Sequence, residues 1–157
     1  MTTDSPVSDL VALARIAQEK YETFDQRRVD DVVAAIAWTI LEPERNRYLS
    51  GRAVEDTGLG DVDDKFQKNY RKTLGLLRDL TGAPSVGIVS EDSGRGIIEI
   101  ARPVGVVGAI TPSTNPVATP TNKVMNALKG RNAIILAPSP RGEAVCGELV
   151  ELFQQAL

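Results

Sequence analysis

A chain of 157 residues, 42% hydrophobic and 25% charged, is long enough for one domain with a real core. Its net charge of -3 gives no electrostatic reason to expect nucleic acid or an anionic membrane. The single cysteine, Cys146, excludes an internal disulfide, and the lack of histidine removes the commonest general base and metal ligand, so neither a metal site nor Ser-His chemistry is expected.

Ser5 and Pro6 form a cap and first-turn pair, after which Val7, Leu10, Val11, Ala14, Ala17, Tyr21 and Phe24 recur at helical spacing and predict an amphipathic helix. A second helix begins near Asp25, with Val29, Val32, Val33, Ile36 and Ile40 on one face. Pro43 separates it from a third that carries Tyr48, Leu49 and Val54 and ends at Gly58 and Gly60. Asp61, Asp63 and Asp64 suit the amino end of a fourth, whose stripe is Phe66, Tyr70, Thr73, Leu74, Leu77 and Leu80 and whose stop is Gly82. No basic segment precedes an apolar one at Met1 to Pro6, and no apolar run reaches the ~18 residues of a membrane span, so a cytoplasmic protein with no membrane association is expected.

From SVGIVSEDSGRGIIEIARPVGVVGAI onward the chain is rich in branched aliphatics, and helices give way to sheet. Val86–Ser90 and Ile97–Ala101 read as a hairpin around EDSGRG. The run VGVVGAI at 104–110 lacks polar alternation and suits a strand covered on both faces. A helix through Val124, Met125, Ala127 and Leu128 stops at Lys129-Gly130, the strand NAIILA follows at 132–137, and a last helix uses Val145, Leu149, Leu152 and Phe153. The order predicts an α/β fold: an amino-terminal helical layer (1–82), a β-hairpin arm (83–102) and a Rossmann-like parallel βαβα unit (103–157).

In open parallel sheets the ligand crevice lies beyond the carboxyl ends of the strands, so Thr111–Pro116 and Pro138–Arg141 should converge on one rim. Pro112 and Pro116 stiffen the first loop. Two readings of Asn115 stay open: a capping residue for the helix that follows, or a rigid NH2 donor placed to stabilise an oxyanion.

The segments AVEDTGLGDVDDKFQKNY (53–70) and PVGVVGAITPSTNPVATPTNKVMNALKGRNAIILAPSPRG (103–142) resemble the amino-terminal portion of the aldehyde dehydrogenase superfamily. GAITPSTNP and IILAPSPRG are most similar to its coenzyme-A-acylating branch, in which Thr-Asn-Pro stands where other members have Trp-Asn-Phe-Pro. The resemblance implies that Asn115 holds the oxyanion, that Ile110, Thr111, Pro112 and Ser113 pass the nicotinamide of NAD or NADP, and that Ala137, Pro138 and Ser139 lie beside the adenosine ribose. A lysine common in non-acylating members is absent at Ala137. Arg141 could meet a cofactor phosphate or be a solvated surface residue, and the hairpin could extend a neighbouring subunit's sheet or be an ordinary ribbon.

The implied reaction joins an aldehyde to coenzyme A with reduction of NAD(P)+, through a cysteine nucleophile that the family carries beyond the region resembled here. Cys146 reads as a buried small hydrophobe and not that nucleophile. The chain is therefore expected to be a fragment without a catalytic domain, inactive alone, prone to associate through its open sheet edge, and to work as a homo-oligomer or with a complementing carboxyl-terminal chain. A non-catalytic assembly or regulatory subunit pairing with a full-length relative, a non-acylating fragment and a reductase of acyl phosphates are the alternatives.

Overall fold

Three carboxylates begin three helices. Asp25 accepts from the Arg28 amide at 2.9 Å, Glu42 from the Glu44 and Arg45 amides at 2.9 and 2.8 Å, and Asp61 from the Asp64 amide at 2.9 Å. Each bonds first-turn N–H groups that have no partner within the helix. In this computed structural model, which describes residues 6–157, they open α2 (Gln26–Leu41), α3 (Pro43–Thr57) and α4 (Val62–Leu80), preceded by α1 (Pro6–Tyr21). Ser5 of the expected Ser5-Pro6 cap lies outside the described residues. Gly58 ends α3 with φ 65°, the left-handed turn that glycine adopts without strain.

The hairpin follows as β1 (Gly87–Asp92) and β2 (Ile97–Ala101), antiparallel with a register shift between Ile88 and Ser90. Asp92 closes its turn by accepting from the Arg95 amide at 3.0 Å and from the Arg95 guanidinium. β3 (Val106–Thr111), α5 (Ala118–Lys129), β4 (Ala133–Pro138), a 3-10 turn (Pro140–Gly142) and α6 (Glu143–Ala156) complete the chain. β3 and β4 are parallel, in register from Val106↔Ala133 to Thr111↔Pro138. The expected α/β order of helical layer, hairpin and βαβα unit is thus what the chain adopts. Among the described residues no helix is long and apolar enough to cross a membrane.

One core joins these elements. Val33, Ile36 and Ile40 of α2 meet Leu49 and Ala53 of α3, Val124 and Met125 of α5, and Val145, Leu149 and Phe153 of α6. Full burial of each such large aliphatic is worth roughly 1.5–3 kcal/mol. Asp56 of α3 ties α6 down by accepting from the Val145 amide at 2.8 Å, which supplies the first-turn partner that Gly142 lacks a side chain to give.

Several periodicity readings are corrected. On α1, Val7 and Leu10 are exposed and Gln18 is buried, its amide turned toward the Arg131 carbonyl. On α4 the buried line is Lys65, Asn69 and Thr73, while Tyr70 and Leu74 are open. Asn69 is accommodated by polar groups of α3: its Nδ2 donates to Asn46 Oδ1 at 3.0 Å and Ser50 Oγ at 3.2 Å, and Asn46 Nδ2 donates to the Phe66 carbonyl at 3.0 Å. Thr73, on the expected stripe, is buried as well, with no partner for its hydroxyl among the described residues. Tyr48 is also exposed, its hydroxyl on Glu148. β3 is covered on alternate residues only: Ala109 and Thr111 are buried, whereas Ile110 is 82% exposed.

Candidate functional site

β3 and β4 end side by side. The Ser139 amide donates to the Thr111 carbonyl at 3.0 Å, one step beyond the Thr111↔Pro138 pair, so the loops after both strands leave from one rim. Thr111 is buried, Ser113 half-buried and Pro112 exposed. On the second strand Ala137 is exposed and Pro138 and Ser139 are half-buried, while Arg141 is exposed in the 3-10 turn. The structure therefore brings Thr111–Ser113 together with Pro138–Ser139, and Ile110 and Ala137, a register pair, reach the same edge.

Asn115 does not cap α5 through its side chain. The boundary residue is Val117, and no side chain bonds the first turn there. What Asn115 gives the helix is its backbone carbonyl, which accepts from the Thr119 amide at 3.3 Å. Its amide Nδ2 makes one long contact, 3.4 Å to Thr114 Oγ1, and is otherwise uncommitted among the described residues. The half-buried side chain lines a cleft of about 440 Å³ between α4 and α5, together with Lys68, Lys72, Asn122 and Lys123.

Both sides of the loop are anchored. Lys65, buried on α4, points its ammonium at the Thr114 carbonyl at 3.4 Å, and burial, with a contribution from neighbouring Lys68, lowers its pKa from the ordinary lysine range. Pro116 is buried against Gly142. At the far end of the unit Asn132 fixes where β3 begins: its Oδ1 accepts from the Val104 and Gly105 amides at 2.7 and 3.0 Å, and its Nδ2 donates to the Ala127 carbonyl at 3.2 Å. Arg131 before it holds φ 56°, so the short α5–β4 turn is wound into a conformation that few side chains adopt.

An uncommitted amide thus follows the carboxyl end of one parallel strand, and the loop after the second leaves from the same rim. Residues 1–157 match the aldehyde dehydrogenase family. The chain belongs to that family.

It is 62% identical over 147 residues to the acylating sulfoacetaldehyde dehydrogenase of Cupriavidus necator, covering 94% of this chain and 30% of that one. The crystal structure of an acetylating aldehyde dehydrogenase from Geobacillus thermoglucosidasius superposes with a TM-score of 0.90 at 35% identity, over 96% of this chain and 33% of that one. Propionaldehyde dehydrogenase of Rhodopseudomonas palustris, solved with bound CoA and an acylated cysteine, gives 0.80 at 31% identity, over 95% and 33%. The chain thus spans about a third of the length of these acylating aldehyde dehydrogenases.

Cys146 is 2% exposed on α6, and burial pushes its thiol pKa up. Asp63 and Asp64 are exposed at the start of α4. The sequence reading overlooked Lys68, Lys72 and Lys123. Lys68 and Lys72, four apart on α4, have the spacing of any solvated helix face, and only the position of α5 makes them one wall of a cleft.

Proposed function

We propose that this chain is the amino-terminal part of an acylating aldehyde dehydrogenase that converts an aldehyde, coenzyme A and NAD(P)+ to acyl-CoA, NAD(P)H and a proton. The observation that carries the reading is the Asn115 amide, free of any capping role, a few residues beyond the end of β3 and lining the cleft between α4 and α5. As negative charge develops on the aldehyde oxygen, Nδ2 donates to it. A fixed donor of this kind needs no rearrangement at the moment of reaction and is worth about 3 kcal/mol. Pro112 and Pro116 limit the loop's freedom, and the Lys65 contact and the Gly142 approach hold it from either side.

The rim fits a dinucleotide. Ala137, Pro138 and Ser139 would lie along the ribose, with no long side chain blocking the exposed edge at Ala137, and Ile110–Ser113 would pass the nicotinamide. When bound, the nicotinamide supplies the acceptor for the aldehyde hydride. By the 62% identical relative the aldehyde is sulfoacetaldehyde. The cysteine nucleophile comes from outside this chain, since Cys146 is sealed in the core. The hairpin would extend the sheet of a second subunit, presenting Ile88, Ile98 and Ile100, which are 60, 52 and 53% exposed.

The test has two arms. The purified 157-residue chain, given sulfoacetaldehyde, CoA and NAD(P)+, should show no NAD(P)H formation. A chimera in which it replaces the matching third of the C. necator enzyme should restore CoA-dependent turnover. Turnover by the chain alone, or a folded chimera without activity, refutes the assignment.

A further inference from the structure

The cleft that Asn115 enters carries a concentration of positive charge. Lys68 and Lys72, one turn apart on α4, stand across it from Lys123 on α5. Among the described residues none of the three makes an ion pair or a hydrogen bond through its side chain. No Asp or Glu lines the cleft, and the sequence has none between Glu99 and Glu143. The nearest acids of α4, Asp63 and Asp64, are exposed at its first turn, and Asp63 is engaged by Arg47.

Like charges one turn apart on a helix destabilise it. Asp64 lies one turn before Lys68, but no carboxylate of α4 lies within a turn of Lys72. Burial chiefly, and the Lys68 charge after it, lower the pKa of Lys65 on the same helix. Three exposed, unpaired ammonium groups around one concavity attract an anion. Asn115 lines the same concavity.

We propose that Lys68, Lys72 and Lys123 form an acid-group subsite of the aldehyde cleft, holding the sulfonate or carboxylate of a short aldehyde whose carbonyl oxygen lies at Asn115. The proposal rests on the acylating dehydrogenase reading and adds to it the side chains that choose the substrate.

It is tested in the chimera by comparing kcat/KM for sulfoacetaldehyde with that for propionaldehyde, a neutral aldehyde of similar size. Lys72→Gln and Lys123→Gln should each lower the ratio about tenfold or more, chiefly through KM for sulfoacetaldehyde, as expected for losing a charge-assisted hydrogen bond. The double variant should lower it further. An unaltered ratio overturns the proposal. So does a raised KM for CoA at constant ratio, which would assign the lysines to a cofactor phosphate.

If the unmodified chimera oxidises neither aldehyde, the dehydrogenase reading fails, and binding to the 157-residue chain itself still decides the subsite. Titration with isethionate should shift the NMR resonances of Asn115, Thr119 and Asn122, propanol should not, and the response should disappear in the Lys72→Gln/Lys123→Gln chain. No response to isethionate, or an equal response to propanol, overturns the subsite.

Discussion

A Cβ placed on Gly142 would stand 2.8 Å from the Cβ of Pro116, so the turn after β4 meets the loop after β3 with no room for a methyl group. Pro116 is a ring in the backbone and cannot swing away as a lysine tip would. It also follows Asn115 directly, so Gly142 limits where the amide can sit. Gly142→Ala should cost about 1–3 kcal/mol in urea denaturation and lower kcat in the chimera. Gly147→Ala on α6, where a Cβ would meet nothing within 4 Å, should instead stabilise by about 0.5–1 kcal/mol. Equal effects at the two positions would remove the claim that the loops are held by this contact.

Asn115→Ala separates two roles. As an oxyanion donor its loss should reduce kcat of the chimera about 100- to 1,000-fold. Because the side chain caps nothing, stability should change by no more than about 0.5 kcal/mol. A loss near 1 kcal/mol with kcat intact would restore the capping interpretation.

Asn132→Ala should be among the most harmful single changes. It is 8% exposed, and its removal leaves the Val104 and Gly105 amides without their acceptor at the point where β3 begins. At roughly 1–3 kcal/mol for an unsatisfied buried group, the expected cost is about 2–4 kcal/mol. Asn132→Asp keeps the acceptor for both amides but turns a carboxylate oxygen on the Ala127 carbonyl, so its urea midpoint should also fall below that of wild type.

Acid should destabilise the chain in a defined direction. The Arg52 guanidinium, helped by the Tyr48 hydroxyl, holds the Glu148 carboxyl below the usual range; the Arg45 and Glu44 amides do the same for Glu42, and the Asp64 amide for Asp61. Native carboxylates with depressed pKa bind fewer protons than the unfolded chain does. Stability is therefore complete above the ordinary carboxylate range, about 4, and is lost as pH falls through the lower native values. Tm should drop between about pH 5 and pH 3, and Glu148→Gln should flatten the slope. A flat profile in the unmodified chain would contradict the linkage.

Much of the fold was legible without coordinates. The α2 face of Val29, Val33, Ile36 and Ile40 is buried as its spacing required, and Asp25 and Asp61 begin helices because a carboxylate before an apolar-periodic run has free amides within its own reach. The rim formed by the loops after β3 and β4 was equally foreseeable, since parallel strands joined by one helix must end together. On α4 the expected burial of Thr73 holds, while Asn69 was missed because it counts as a surface residue until Asn46 and Ser50 are brought opposite it from α3.

The sequence alone determined what neighbours within about a turn can settle: where helices start and stop, which runs are strands, and the two loop motifs that mark the aldehyde dehydrogenase family. Only the tertiary structure decided that Asn115 leaves its amide uncommitted, that Gly142 must stay bare against Pro116, and that Lys68 and Lys72 share a cleft with Lys123. The reason is one of range. Dihedral preferences and periodicity act over a few residues, whereas a cleft wall takes its chemistry from whichever distant element the core presses against it.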